Sequence, residues 1–219
     1  THHPERLRGL RGVIATSSSS SVTKRFASNR FDRQLVSRLI AAEELMLATC
    51  RGLTIHSYIL RPTLIYGRVG EYGDKNLSRV LQLLRRLPLL PLPSETGLRQ
   101  PIHASQLAAV ALRLAQQVTV NNLDPLLSER IALGGDTTVT YNEMIRALQQ
   151  AQTFKDPARR CHLLPIPNRL FFLIASPLLL CSPKAFEAVL RMGADLSDFT
   201  PAHQLLGTEP QIFPVLPLA

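Results

Sequence analysis

Apolar and polar residues alternate in blocks that predict a strand, a helix and a second strand early in the chain. Residues 12–17 (GVIATS) form a short apolar run typical of a buried strand. Residues 32–50 carry apolar side chains at helical spacing, and Gly52 provides a stop signal. Residues 53–60 (LTIHSYIL) predict the next strand. Because the links are short, we expect the two strands to be parallel and joined by a right-handed crossover.

The apolar positions of the first helix indicate which side faces the core. The positions expected to be buried are Leu35, Val36, Leu39, Ile40, Leu45 and Met46.

Further elements follow along the chain. A Gly-rich loop at residues 67–73 precedes a helix ending at Arg86, and a Pro-rich segment separates this helix from a short strand or turn at Pro101. The later predictions are a helix capped by Ser105 and running to Gln117, a strand from Arg130, a Thr140–Glu143 capping box for a helix over 141–152, and apolar helices in the last third.

Composition narrows the class of protein. The chain has 219 residues, of which 45% are hydrophobic, and a formal net charge of +9. The arginines are dispersed without an aromatic-interleaved stripe, which argues against nucleic acid as the partner. Three cysteines without metal-ligand spacing indicate reduced thiols and a cytoplasmic protein without a metal site. The apolar run 170–181 is too short to span a bilayer and predicts a core helix, with an interfacial helix as the alternative.

Five consecutive serines, Ser17–Ser21, directly follow the first predicted strand. One interpretation is a flexible linker, and the other is a strand end that presents reactive hydroxyl groups. An apolar strand before the run and an amphipathic helix after it favour the strand end. In open parallel sheets, ligands bind at the carboxyl ends of strands, so the sequence predicts a ligand site here.

Several stretches, in order along the chain, resemble one family. They are VIATSSSSSV, ILRPTLIYG, KNLSRVLQLL, TGLRQPIHASQLAAV, IALGGDTTVTYNEMIRAL and RMGADLSDFTPAHQLLGTEP. Together they resemble the extended short-chain dehydrogenase/reductase family, which comprises NAD-dependent nucleotide-sugar epimerases and dehydratases.

The resemblance implies an α/β fold: an incomplete doubly wound, Rossmann-like parallel sheet with a small, mostly helical C-terminal substrate domain. Residues 1–68 and 101–134 would form the remaining part of the NAD(P)-binding domain. Residues 69–100 and 135–219 would form the substrate-binding region. The family opens with a strand and a Gly-x-x-Gly-x-x-Gly loop for the pyrophosphate, and we expect this N-terminal part to be absent from the chain.

The resemblance also implies a cofactor, NAD or NADP, and the residues that contact it. Ser19 matches the catalytic serine, with Ser18 and Ser20 as alternatives because a serine run leaves the register open. The cofactor-binding candidates are Ser17, Arg38, Pro62, Leu64 and Ile65. Ordinary turn capping and strand-end packing are the alternatives for these positions.

The implied substrate is a nucleotide-diphosphate sugar or a similar small molecule, and the resemblance allows a homodimer. Asn76 matches a substrate-contacting asparagine, although it would equally serve as a helix N-cap. Arg99 and Arg191 would hold the diphosphate, with a solvated surface arginine as the alternative for Arg99. His103 is interpreted as structural.

The chain departs from the family at the reacting group. Gln34 and Arg38 occupy the positions of the Tyr-x-x-x-Lys pair, and an amide cannot act as an acid or base. Lys24 and Tyr66 are the conceivable substitutes. A second glycine-rich stretch, GRVGEYG, has pyrophosphate-loop spacing but lies after a later strand. The sequence therefore predicts an epimerase/dehydratase-like oxidoreductase acting by hydride transfer but impaired or inactive. The alternatives are a non-catalytic NAD(P)- or nucleotide-sugar-binding protein and an inactive gene fragment.

Overall fold

The computed structural model describes residues 9–23, 30–120, 127–177, 189 and 191–216. Its strands in chain order are β1 Gly12–Thr16, β2 His56–Pro62, β3 Ile65–Tyr66, β4 Arg68–Val69, β5 Tyr72–Gly73, β6 Leu89–Pro93, β7 Leu98–Arg99, β8 Ile102–His103, β9 Arg130–Gly134, β10 Val139–Thr140, β11 His162–Ile166 and β12 Thr200–Pro201. Its α-helices are α1 Ser20–Thr23, α2 Arg30–Gly52, α3 Leu77–Arg86, α4 Ala104–Thr119, α5 Tyr141–Gln150, α6 Asn168–Ala175 and α7 Ala202–Leu206.

The chain divides into two compact units. Unit 1 is built from described residues within 1–63, 105–135 and 199–209, and unit 2 from those within 64–104, 136–198 and 210–219.

Unit 1 holds a parallel sheet in the order β1-β2-β9-β12. The register places Gly12 opposite His56 and Thr16 opposite Leu60, and Leu60 lies opposite Ile131 on the other side. The predicted strand–helix–strand unit with parallel strands is therefore confirmed. So is the predicted class, an α/β fold with an incomplete Rossmann-like parallel sheet.

Helix α2 buries only part of the face that the apolar pattern predicted. Leu35, Ile40 and Leu45 are exposed, the last by 69%. The buried stripe instead runs through Val36, Glu43, Leu47 and Cys50, which recur every three to seven residues. The expected apolar face was wrong at these three leucine and isoleucine positions because the inward stripe accommodates a carboxylate.

Unit 2 packs α3 and α5 around a core of leucine, isoleucine, methionine and aromatic side chains. The predicted Thr140–Glu143 capping box is present: the Thr140 hydroxyl accepts from the Glu143 amide, and the Glu143 carboxylate accepts from the Thr140 amide. Ser105 is not at the N-cap position of α4, because that helix begins one residue earlier, at Ala104.

The Pro-rich segment forms a strand. Residues 89–93 pair in parallel with residues 162–166 as β6 and β11. The amide of His162 donates to the Pro88 carbonyl, and the amide of Ser94 donates to the Ile166 carbonyl.

Candidate functional site

The serine run begins at the carboxyl end of β1 and is hydrogen-bonded to residues at the end of β2. The Ser17 amide donates to the Leu60 carbonyl at 2.7 Å, and the Ser19 amide donates to the Pro62 carbonyl at 3.0 Å. The structure therefore brings two of the predicted site residues, Ser19 and Pro62, into direct contact. The linker interpretation is wrong, because the loop is hydrogen-bonded to the sheet from its first residue.

The serine hydroxyls have different partners. Ser18 Oγ accepts from the Ser20 amide at 3.2 Å, and Ser21 Oγ donates to the Ser18 carbonyl at 2.9 Å, so both close a turn. Within the described residues, the hydroxyls of Ser19 and Ser20 make no hydrogen bond. Ser19, the first choice from sequence, therefore keeps a hydroxyl that the local fold does not use.

Ser17 is connected to a buried ion-pair cluster that the sequence did not reveal. Its hydroxyl donates to Glu43 Oε1 at 2.6 Å. The Glu43 carboxylate is 4% exposed, accepts a two-pronged hydrogen bond from Arg61 on β2, and lies 3.5 Å from Arg130 Nε on β9. The Ser17 side chain, expected to contact the cofactor, is thus engaged by the helix behind the loop.

The partners of the Glu43 carboxyl favour its ionised form. Burial acts to raise its pKa, but hydrogen bonds from Arg61 and Ser17 and the charges of Arg61 and Arg130 outweigh burial. The pKa therefore lies below its ordinary value. This cluster joins α2, β2, β9 and the serine loop within unit 1.

Gln34 and Arg38 lie one helical turn apart on α2, and both are exposed. In the described part of the chain, neither side chain makes a hydrogen bond or ion pair. Lys24 lies outside the described residues.

Several backbone groups of residues 63–65, which follow β2, are hydrogen-bonded to other backbone groups of the protein. The Thr63 amide donates to the Leu133 carbonyl at 3.0 Å in unit 1. In unit 2, the Leu64 carbonyl accepts from the Ile102 amide at 3.0 Å, and Ile65 pairs with Ile102. β3, which begins at Ile65, therefore pairs in parallel with β8, and the Leu64 carbonyl extends this pairing by one hydrogen bond.

Tyr66, considered as a substitute acid, is a core residue. It is 1% exposed, its hydroxyl accepts from the Val215 amide at 2.8 Å, and its ring packs edge-on against His103 and Phe213. Burial raises the pKa of Tyr66 to about 12. Acid–base catalysis needs a lowered phenol pKa, so Tyr66 is unsuited to that role.

Arg99 is buried rather than solvated. It is 7% exposed, and its Nη1 donates to the Leu98 carbonyl at 2.7 Å and to the Ala194 carbonyl. Its guanidinium carbon lies 5.7 Å from the centre of the Tyr141 ring. Burial lowers the pKa of Arg99, against the opposing effects of Tyr141 and Asp195. The interpretation of Arg99 as a surface charge is therefore wrong.

Arg99 and its neighbours hold the segment 192–196 beside β7. The Gly97 amide donates to the Met192 carbonyl, the Leu98 amide to Asp195 Oδ1, and the Leu196 amide to the Leu98 carbonyl, all within 2.9 Å. Arg191, the other predicted diphosphate contact, immediately precedes this segment. The structure thus brings the backbone around Arg191 next to the strand of Arg99.

Asn76 is exposed at the start of α3, but its side chain does not cap the helix. Asp74 does so instead, because its Oδ1 accepts from the amides of Asn76, Leu77 and Ser78. Asn76 therefore occupies the N-cap position, as the sequence allowed, but does not make the capping hydrogen bond with its side chain. The preceding GRVGEYG stretch is a hairpin of β4 and β5, and the free helix amides that a phosphate would need are occupied by a carboxylate.

Solved structures with this architecture are available for comparison. RMD from Pseudomonas aeruginosa, complexed with NADPH, matches with a TM-score of 0.57 and 13% identity over 94% of this chain and 63% of its own. UDP-glucuronic acid 4-epimerase from Bacillus cereus, in complex with NAD, gives 0.55 and 13% over 95% and 60%. Gre2 from Candida albicans, in complex with NADPH, gives 0.54 and 12% over 92% and 60%.

The chain has the fold of the extended short-chain dehydrogenase/reductases. It spans about 60% of the length of these solved relatives. No protein-family model and no curated protein sequence matches it.

Two carboxylates that position the candidate loops of this extended short-chain dehydrogenase/reductase fold, Glu43 and Asp74, were not predicted from the sequence. For Glu43, the signal in the sequence is an acidic residue within the inward-facing stripe of an amphipathic helix. Asp74 had one too, since it stands three residues before the first buried leucine of α3. Neither signal identified the partner residues, which lie on other elements or in backbone amides.

A spectroscopic titration checks the assignment of Tyr66. The absorbance difference between wild type and Tyr66→Phe is expected to reach half of the full phenolate signal only at about pH 12, because burial raises the pKa of the hydroxyl. A Tyr66 phenolate that forms at or below the ordinary value of about 10 would contradict this burial and restore Tyr66 as a candidate acid.

Proposed function

We propose that this chain is a nucleotide-sugar epimerase/dehydratase-like protein that binds NAD(P) and a nucleotide-diphosphate sugar, with hydride transfer impaired. The observation that carries the proposal is the serine loop of unit 1. It leaves a parallel strand at the carboxyl end, as a ligand loop of this fold does, and presents the unbonded Ser19 hydroxyl beside Pro62. The helix that follows it carries Gln34 and Arg38 where a phenol and an ammonium are needed.

The residues present fit only part of a nicotinamide site. A free Ser19 hydroxyl and the exposed cation of Arg38 suit the polar nicotinamide end. The acid–base set does not fit, because Gln34 does not titrate and the Tyr66 hydroxyl is buried with a raised pKa. The GRVGEYG hairpin is equally unsuited to a pyrophosphate. We therefore assign no hydride-transfer step to these residues and expect dinucleotides to bind weakly.

Unit 2 supplies the proposed diphosphate contacts. Arg99 acts in part through position, because its guanidinium fixes the Ala194 carbonyl and with it the segment that follows Arg191. Exposed Asn76 is the proposed polar contact to the sugar nucleotide. Burial lowers the pKa of Arg99 although the carbonyl oxygens of Leu98 and Ala194 accept from its guanidinium, so a diphosphate there would stabilise the charged form.

A non-catalytic binding protein of the same fold is the second candidate, and the misfit of Gln34 favours it. The two candidate functions predict different effects of restoring the Tyr-x-x-x-Lys pair. The double variant Gln34→Tyr/Arg38→Lys is expected to raise the turnover of a nucleotide-sugar in the presence of NAD or NADP, followed by chromatography of the sugar products over a panel of nucleotide-sugars, by about a hundredfold or more over wild type. A protein built only for binding would gain nothing from the restored pair.

The matched control is Gln34→Phe/Arg38→Lys, which supplies the same ring without the hydroxyl and is expected to stay at the wild-type level. Calorimetric titration of wild type with NAD, NADP and the same panel separates binding from turnover. Wild-type turnover as fast as that of the double variant would show that another group serves as the acid. Absence of binding to every compound would favour the inactive fragment.

A further inference from the structure

One corner of unit 2 combines uncompensated positive charge with exposed apolar side chains. There the end of α3 meets the loop 151–160, and we call this corner the basic corner: Arg86, Leu87, Phe154, Lys155, Arg159 and Arg160. Two contacts fix the meeting point. Arg85 pairs with Asp156 at 2.9 Å, and the His162 amide donates to the Pro88 carbonyl at 2.9 Å.

The charge at this corner is strongly one-sided. Residues 77–92 and 152–163 contain six arginines and lysines and a single carboxylate, Asp156. That carboxylate is engaged by Arg85, whose hydrogen bond holds the Asp156 pKa below its usual value. The positive charges of Arg86, Lys155, Arg159 and Arg160 are therefore left without a nearby acidic partner on these two segments.

The apolar component is equally unusual. Phe154 is 89% exposed, and the Arg159 guanidinium lies 5.8 Å from the centre of its ring. Leu87 is also exposed at the end of α3. Moving a large aromatic side chain from water into an apolar phase lowers the free energy, so its exposure on the same two segments as four cations indicates a partner that is both anionic and apolar.

We propose that the basic corner docks this protein on the surface of an anionic lipid bilayer. Phosphate headgroups would pair with the arginines and Lys155, while Phe154 and Leu87 would insert at the boundary between headgroups and acyl chains. Nucleic acid fits less well, because a single exposed ring cannot form a platform for successive bases. Within the described ranges, no helix is long and apolar enough to cross a bilayer, so this is attachment to a surface.

Vesicle co-sedimentation tests the proposal. The full chain is mixed with vesicles of phosphatidylcholine alone or with added phosphatidylserine, and it is expected to bind only the anionic vesicles, with binding lost in high salt. Arg159→Gln/Arg160→Gln is expected to weaken binding about thirtyfold, and Phe154→Ser about tenfold.

The control variants remove the same kinds of side chain, exposed arginines and an exposed apolar residue, from surfaces outside the basic corner. Arg33→Gln/Arg113→Gln removes two exposed charges from unit 1, and Leu112→Ser removes an apolar side chain that is 61% exposed on α4. Both are expected to bind like wild type, and circular dichroism verifies that every variant is folded. Equal weakening by control and corner variants, equal binding to neutral vesicles, or no vesicle binding would overturn the proposal. Displacement from vesicles by polyuridylate, with RNA binding lost in the corner variants, would reassign the corner to a polyanion.

Discussion

Glu43→Gln is expected to lower the free energy of unfolding by about 3 kcal/mol or more, because it leaves the Arg61 guanidinium almost buried without a charged partner. Glu43 is 4% exposed and Arg61 17% exposed, so water replaces the lost charge poorly. The substitution also disturbs Ser17, whose hydroxyl donates to the same carboxylate. Chemical denaturation followed by circular dichroism measures the change.

Glu44→Gln is the matched control, since Glu44 is the next residue and also contacts Arg130 but is 61% exposed. An exposed pair of this kind contributes about 0–1 kcal/mol. Equal effects of the two substitutions would show that the cluster of Glu43, Arg61 and Arg130 contributes no more than a surface pair.

The same carboxylate gives a pH dependence with a defined sign. The Glu43 pKa is lowered in the folded state, so its contribution to stability is present above the unfolded value of about 4.3 and is lost as the pH falls through the folded value. Wild type is therefore expected to lose stability below about pH 4 more steeply than Glu43→Gln. Parallel acid-unfolding curves would contradict this linkage.

Gly97→Ala is expected to destabilise the protein by about 3 kcal/mol or more, at the upper end of overpacking effects. An added Cβ would lie 2.1 Å from the Ala194 carbonyl oxygen and 2.9 Å from the Asp195 amide nitrogen. These are backbone atoms of a segment held by the Arg99 guanidinium at the Ala194 carbonyl and by the Leu196 amide at the Leu98 carbonyl, so they cannot move aside as a side chain would.

Gly73→Ala provides the comparison, because the same added methyl group meets nothing within 4 Å and Gly73 has no positive φ. It is expected to leave the thermal midpoint unchanged, whereas Gly97→Ala lowers it. If Gly97→Ala unfolds like wild type, the segment 192–196 does not pack on β7 in solution.

The sequence predicted those parts of the fold whose signals are local. The strand–helix–strand unit and the Thr140–Glu143 capping box depend on residues a few positions apart, and both are present. The β6–β11 pair was missed because prolines discourage a strand assignment. The amides of Ser94 and His162 bond across the pair, and N–H direction alternates along a strand. Pro91, Pro93 and Pro165 therefore fall at positions whose nitrogen points away from the partner strand.

The candidate site was predictable only in part for the same physical reason. The position of Ser19 follows from a strand end, which is a local pattern. The engagement of Ser17 depends on Glu43, 26 residues later, and on Arg61 and Arg130. Likewise, the burial of Arg99 depends on the Ala194 carbonyl, 95 residues away. Such long-range pairing is decided by packing and leaves no spacing to detect in the sequence.

The position of Arg99 in the fold also affects how the chain folds during its synthesis. Its strand is flanked by residues 139–140 on one side and by residues 192–196 on the other, so neither neighbour exists when residues 97–99 leave the ribosome. Contacts of high sequence separation form late and slowly. During synthesis, therefore, a strand carrying a cation that ends up buried remains uncovered until residues 192–196 have emerged. Nascent chains that end before residue 196 should be the ones that chaperones and proteases recognise.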